Sequence, residues 1–146
     1  RSAKIIGVEI EDDAEKEIAK RSRFTPRTAN YFLKRARDFA QVEGKPLNRK
    51  TVELALKLLG IDEKGLSPSD RRLLEIIAEK FTGGPVGLST LAAALSEEEA
   101  TIEEFNEPYL LQLGLIERTA RGRALTPHAY EHLGKKVPAG LQKKLL

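Results

Sequence analysis

The stretch Arg118-Thr119-Ala120-Arg121-Gly122-Arg123 places three guanidinium groups within six residues, around a single glycine. Apolar segments flank it, Leu115-Ile116 before and Ala124-Leu125 after. Strand, cationic turn, strand is the pattern of a β-hairpin, expected over Leu115–Thr126, with its charges held out into solvent at the tip. Guanidinium forks match phosphate oxygens two at a time and stay protonated at ordinary pH. The hairpin is therefore the first candidate for contact with a polyanion. The plain alternative is a solvated turn whose charges serve solubility.

Upstream of the hairpin lie three segments of helical length. Ser67-Pro68-Ser69-Asp70 sets an N-cap, a proline at the first helical position and a capping-box acid in register. Leu73, Leu74, Ile77 and Phe81 follow as an apolar stripe. Gly83-Gly84-Pro85-Val86-Gly87 reads as an extended turn, and Leu88 to Leu95 as a second short helix. Thr101-Ile102-Glu103-Glu104 is expected to cap a third helix that runs to Gln112, with Pro108 kinking or shortening it. A short helix from Pro127 to Leu133 follows the hairpin. Helix, helix, helix, hairpin is the winged variant of the helix-turn-helix.

The first half of the chain reads as a small helical bundle. Glu11 to Arg21 predicts a short helix with Ala14, Ile18 and Ala19 inward. Thr25-Pro26 announces a second, threonine as N-cap and proline at the first helical position, with Ala29, Phe32, Leu33, Ala36, Phe39 and Ala40 at 3.6 spacing. Asn48 caps a third, with Val52, Ala55, Leu56 and Leu59 inward, and Gly60 stops it. The two blocks meet near Gly60–Ser67, where turn residues replace periodicity. The expected fold is mainly α: a small helical bundle followed by a winged-helix domain with a short β-hairpin wing. The tail after Pro138 is expected to fray.

Composition bounds the function classes. Of the 146 residues 40% are hydrophobic but only 5% aromatic, so the core must come from Leu, Ile, Val and Ala. There is no cysteine, which excludes disulfides and thiolate metal sites. No apolar run approaches the ~20 residues needed to span a bilayer, and the start does not read as a secretory signal. A cytoplasmic location is expected. The chain opens on Arg1-Ser2 rather than Met, so a fragment of a longer chain is expected. Net charge is only +3. Residues 1–66 hold 15 Lys/Arg against 11 Asp/Glu, and residues 67–146 hold 10 against 11, so any contact with a polyanion must be local.

The acidic residues decide the mode of contact. Glu97, Glu98, Glu99, Glu103, Glu104 and Glu107 lie at or near the N-terminal half of the third helix of the winged module, the end a recognition helix would insert. Carboxylates there suit the helix dipole but repel phosphates. Contact is thus expected through Arg118, Arg121, Gly122 and Arg123 of the wing, to the nucleic-acid backbone and with little base reading. Arg27 is the second candidate. It stands at the second position of its helix, where the dipole disfavours a cation, and a cation beside exposed N–H groups makes an anion site suited to phosphate. An ordinary surface arginine is the alternative.

Two patterns carry no chemistry. His128-Ala129-Tyr130-Glu131-His132 matches a zinc signature, but its helix is short and no third ligand follows, so no metal site is expected. Gly83 to Thr90 lacks the lysine and the spacing of a phosphate loop.

Four motifs in order carry a family resemblance: Arg21-Ser-Arg-Phe-Thr-Pro-Arg27-Thr-Ala-Asn30, Gly83-Gly-Pro-Val-Gly-Leu88, Glu107-Pro-Tyr-Leu110 and Arg118-Thr-Ala-Arg-Gly-Arg123. They resemble the C-terminal part of the RuvB family, bacterial Holliday-junction branch-migration motors, from about Lys4 to Pro138. The resemblance implies that residues 1–64 form the small helical lid domain of an AAA+ ATPase, residues 65–138 a winged-helix DNA-binding domain, and residues 139–146 a tail. It puts Arg27 on the lid arginine that reaches the ATP γ-phosphate, Pro26 beside the nucleotide, and Arg121 and Arg123 on the DNA-contacting wing. ATP with magnesium, a hexameric ring around double-stranded DNA and the partner RuvA belong to the parent motor. The 146 residues hold no phosphate-loop motif, so neither ATP hydrolysis nor RuvA docking is expected of this polypeptide alone, and no catalytic residue is assigned. The chain departs from the family pattern at Phe24 (usually glycine), Thr28 (usually β-branched aliphatic) and Ala120 (usually proline). The rival from another class is a non-motor winged-helix regulator or protein-interaction module. Sharp sequence preference would mark a regulator.

Overall fold

A computed structural model describes residues 10–23 and 25–142. The chain divides into two compact units, the first ending at Pro68 and the second beginning at Ser69. The architecture is mainly helical with one two-stranded antiparallel hairpin, as the sequence predicts. Among the described residues no helix is long and apolar enough to cross a membrane.

In the first unit, α1 (Asp12–Arg21) begins after Glu11, with Asp12, Asp13 and Glu15 in its first turn and Lys20 and Arg21 in its last, the order the helix dipole favours. Helix α2 (Pro26–Glu43) starts as predicted: the Thr25 hydroxyl accepts from the Thr28 N–H at 3.2 Å, and Pro26 fills the first position. Asn48 caps α3 (Arg49–Leu58) by accepting from the Thr51 N–H at 3.0 Å. The apolar faces meet in a core of Ala14, Ile18, Phe32, Leu33, Ala36, Ala40, Leu47, Val52, Ala55 and Leu56, with Ala29, Phe39 and Leu59 partly covered around it. Ala19 is exposed, against expectation. Its place on the inner side of α1 is taken by an ion pair, Glu17 and Arg21, both buried and 2.6 Å apart.

In the second unit, α4 (Pro68–Lys80) buries Leu73, Leu74 and Ile77, while Phe81, just beyond its end, is only half-buried. Helix α5 (Leu88–Leu95) ends on Ser96 in the left-handed conformation. The next helix, α6, begins at Glu99, so Thr101 lies inside it rather than capping it. It is composite: an α turn Glu99–Thr101, a π-helical turn Ile102–Asn106, and an α segment Glu107–Gln112. The hairpin is β1 (Ile116–Thr119) and β2 (Gly122–Leu125), followed by α7 (Pro127–Leu133) and a short α8 (Ala139–Gln142). The end of the tail, residues 143–146, lies outside the described residues.

Candidate nucleic-acid interface

The hairpin pairs Ile116 with Leu125, Glu117 with Ala124, Arg118 with Arg123 and Thr119 with Gly122. Its base is closed by Thr126, whose N–H donates to the Leu115 carbonyl at 3.0 Å and whose hydroxyl donates to the Gly114 carbonyl. Its tip is tied by Thr119: the Oγ1 donates to the Gly122 carbonyl at 3.0 Å and accepts from the Arg121 N–H at 3.2 Å. The Gly83-Gly84-Pro85-Val86-Gly87 segment, expected to be only a turn, forms a partial third rung. Val86 and Arg123 exchange backbone hydrogen bonds of 2.9 and 2.8 Å, and the Leu125 N–H donates to the Gly83 carbonyl at 2.9 Å. This approach explains the glycines. A Cβ on Gly84 would lie 2.9 Å from the Ala124 Cα, and one on Gly122 would run into the Val86 carbonyl. Both have positive φ, +88° and +134°. Ala120, a departure from the family pattern, sits exposed in the turn.

The register divides the arginine cluster. Residues directly opposite on antiparallel strands share a face. Arg118 and Arg123 are opposite, and two residues back so are Ile116 and Leu125, both buried. The two arginines thus leave the ribbon on its core side. Arg123 is buried and paired with Glu107: its Nε donates to Oε1, and its Nη2 to Oε2 at 3.4 Å. This differs from the solvent-facing position expected of it, because strand alternation puts residue 123 in phase with Leu125. Arg118 is exposed, its side chain 55% accessible and its Nε 3.8 Å from the same carboxylate. Arg121, in the turn between the strands, is held out as predicted; it is exposed, and no ion pair reaches its guanidinium among the described residues.

Glu107 was grouped in the sequence with the exposed acids of the third helix, and it is instead 2% exposed. The cause is the π turn. Its Glu107 N–H bonds to the Ile102 carbonyl, five residues back rather than four. In a regular α-helix the Pro108 ring would press on the Glu104 carbonyl and leave it without a donor; the wider turn relieves both. The added residue turns Asn106 inward together with Glu107. Asn106 Nδ2 donates to Asp70 Oδ1 at 2.7 Å and to Ser69 Oγ at 3.1 Å. Glu97, Glu98, Glu99, Glu103 and Glu104 remain exposed, so the start of α6 is an acidic surface. The sequence signal for Glu107 was its place beside Pro108, between positions that pack inward.

Arg27 is exposed at the second position of α2, whose first turn has no acidic residue, and no partner holds it among the described residues. Pro26 is exposed beside it. Thr28 joins the cap, its Oγ1 accepting from the Thr25 hydroxyl at 2.8 Å. Phe24 lies outside the described residues. His128 and Glu131 are both exposed, 3.8 Å apart, and no group of three His, Asp or Glu that could hold a metal occurs among the described residues. Tyr130, by contrast, is buried; its hydroxyl has no protein partner among the described residues, and burial raises its pKa above the usual 10.0.

Two family models match the chain: the RuvB AAA lid domain over residues 1–62 and the RuvB C-terminal winged helix domain over residues 63–134. Among solved structures, the chain is similar to the Thermotoga maritima RuvB Holliday junction branch migration motor, with 48% identity, a TM-score of 0.91, and coverage of 94% of this chain and 46% of that one. Two point variants of that protein match at 48% identity and a TM-score of 0.91, with 94% of this chain covered and 46% and 47% of theirs. The chain therefore spans about half the length of the structures it matches.

Proposed function

The chain belongs to the RuvB family, and from that premise we propose that it is the C-terminal part of an ATP-dependent motor that migrates Holliday junctions. In this reading the wing grips the backbone of double-stranded DNA and the lid senses nucleotide. The observation that carries it is the exposed guanidinium of Arg121, without an ion pair among the described residues, on a tip tied by Thr119 and pinned through β2 to the Val86 segment. Arg118 stands beside it with most of its donors uncommitted, since its contact with Glu107 is a long 3.8 Å. Gly122 follows Arg121 in the chain, and its backbone admits no side chain. Arg123 serves the wing from behind, as the buried anchor of β2.

Backbone grip suits a translocase, because a motor that read bases would stall on preferred sequences. The exposed acids at the start of α6 favour the same conclusion, since an inserted helix would bring carboxylates against phosphates. In the lid, Arg27 would hold the terminal phosphate of ATP, with Pro26 beside the nucleotide; the unpaired cation and the acid-free first turn of α2 fit that anion. ATP supplies the phosphoanhydride whose cleavage drives the parent motor. The magnesium ligands, the ring of six subunits and the docking of RuvA are assigned to the longer protein, working in the cytoplasm.

The test is duplex binding followed by fluorescence anisotropy on several unrelated sequences. Arg118→Ala with Arg121→Ala should weaken binding alike on all of them and flatten the salt dependence by about 1.8 in log–log slope, the value for two phosphates. Retained affinity, or a loss confined to one sequence, refutes the grip and favours a sequence-reading regulator.

A further inference from the structure

Two arginines face each other across the hairpin in register, on the same side of the ribbon. Like charges directly opposite are destabilising in a two-stranded sheet, and here one of the pair is also buried. A single carboxylate, on a different element, answers both. Glu107 Oε1 accepts from Arg123 Nε, while Oε2 lies 3.4 Å from Arg123 Nη2 and 3.8 Å from Arg118 Nε. The Glu107 side chain is only 3% exposed, so its own place is fixed by packing. The π turn of α6 aims it there.

We propose that Glu107 is a positioning residue for the DNA-gripping hairpin: it anchors Arg123 and, through its second oxygen, sets the direction in which Arg118 offers its remaining donors to a phosphate. The proposal rests on the reading of the wing as the DNA contact and deepens it. A guanidinium has five N–H donors and Arg118 commits few of them to Glu107, so the carboxylate orients the side chain without consuming it. Orientation matters because a long side chain ordered before contact loses less rotamer freedom on binding. Arg121 has no such guide and acts as the outermost, unrestrained charge.

Glu107→Gln alone strands a buried Arg123, so the informative background is Glu107→Gln with Arg123→Gln, in which a neutral amide pair replaces the ion pair and the net charge is unchanged. Thermal melts and hairpin amide shifts should show that this double variant keeps the fold. Arg118→Ala is then introduced into the wild-type chain and into the double variant, and duplex affinity is measured at low salt for all four. With Glu107 present, losing Arg118 should cost about five-fold; without it, the same change should cost less than two-fold, because an unguided Arg118 contributes little. The NMR signal of the Arg118 Nε–Hε group supplies a readout free of DNA. It should be sharp and slow to exchange in the wild-type chain and averaged in the double variant.

Equal losses in both backgrounds would reduce Glu107 to a structural prop and overturn the proposal, while leaving the grip intact if Arg121→Ala still weakens binding. A larger loss without Glu107 would also overturn it, since the carboxylate would then be a restraint. A double variant that melts without a hairpin, taken with an Arg118 Nε–Hε signal already averaged in the wild-type chain, would do the same. If the wild-type chain and Arg121→Ala bind duplex alike, the reading of the wing itself fails, and this proposal with it.

Discussion

Arg123 and Glu107 are both buried, so each depends on the other far more than a surface pair would. Arg123→Ala should destabilise the second unit by about 3 kcal/mol, chiefly by leaving Glu107 with only the distant Arg118. Arg123→Met with Glu107→Leu should be close to neutral by comparison, and urea unfolding followed by circular dichroism separates the two cases. Tyr130 is a second buried polar group, without a protein partner for its hydroxyl. Tyr130→Phe is expected to keep or raise stability by about 1 kcal/mol, since it removes a desolvated oxygen. The pH dependence has a definite sign. The folded-state pKa of Tyr130 is raised above 10.0, so the folded chain holds this proton more tightly than the unfolded one. Its contribution is complete below pH 10 and lost as pH rises beyond that value. Melting temperature should therefore fall at alkaline pH, and fall less steeply in Tyr130→Phe.

At the scale of elements, the caps were legible and the side of the ribbon was not. Thr25-Pro26 and Asn48 name their helix starts because a side-chain oxygen and a proline are local devices, and both helices begin there. The hairpin was equally local. Which of its arginines face inward is a question of parity: residues 116, 118, 123 and 125 alternate in step, and the apolar pair drags the arginine pair to its own face. Charge counting overlooked that phase. The π turn was hidden for another reason, since Pro108 announced a disturbance without saying whether the chain would bend, stop or widen. Thr101 misled as a cap because the three acids Glu97-Glu98-Glu99 already supply a favourable helix start. Gly122 tests the element as built. Gly122→Ala should cost about 2 kcal/mol or more through positive-φ strain and collision with the Val86 carbonyl, and hydrogen exchange at the Val86 and Arg123 amides should accelerate.

For the whole molecule, the net charge of +3 sets a modest ceiling on attraction to DNA. With Arg121 and Arg118 as the contacts, log affinity should fall against log salt with a slope near −1.8, the value for about two phosphates. A slope several times steeper would point to contacts elsewhere, for instance along the cation-rich first half of the chain. Single-wing binding is accordingly weak, and several copies on one duplex would gain strength by avidity rather than by new contacts.

The rung between Val86 and Arg123 has a mechanical meaning. Tension applied to the guanidinium of Arg121 runs down both strands of the hairpin alike, and the Val86–Arg123 rung, whose hydrogen bonds lie across the direction of pull, resists it in shear. Part of that force passes sideways through Arg123 into the segment ahead of α5, and part through its side chain into α6. A tip braced in this way transmits displacement to the body behind it, where a free loop would only stretch.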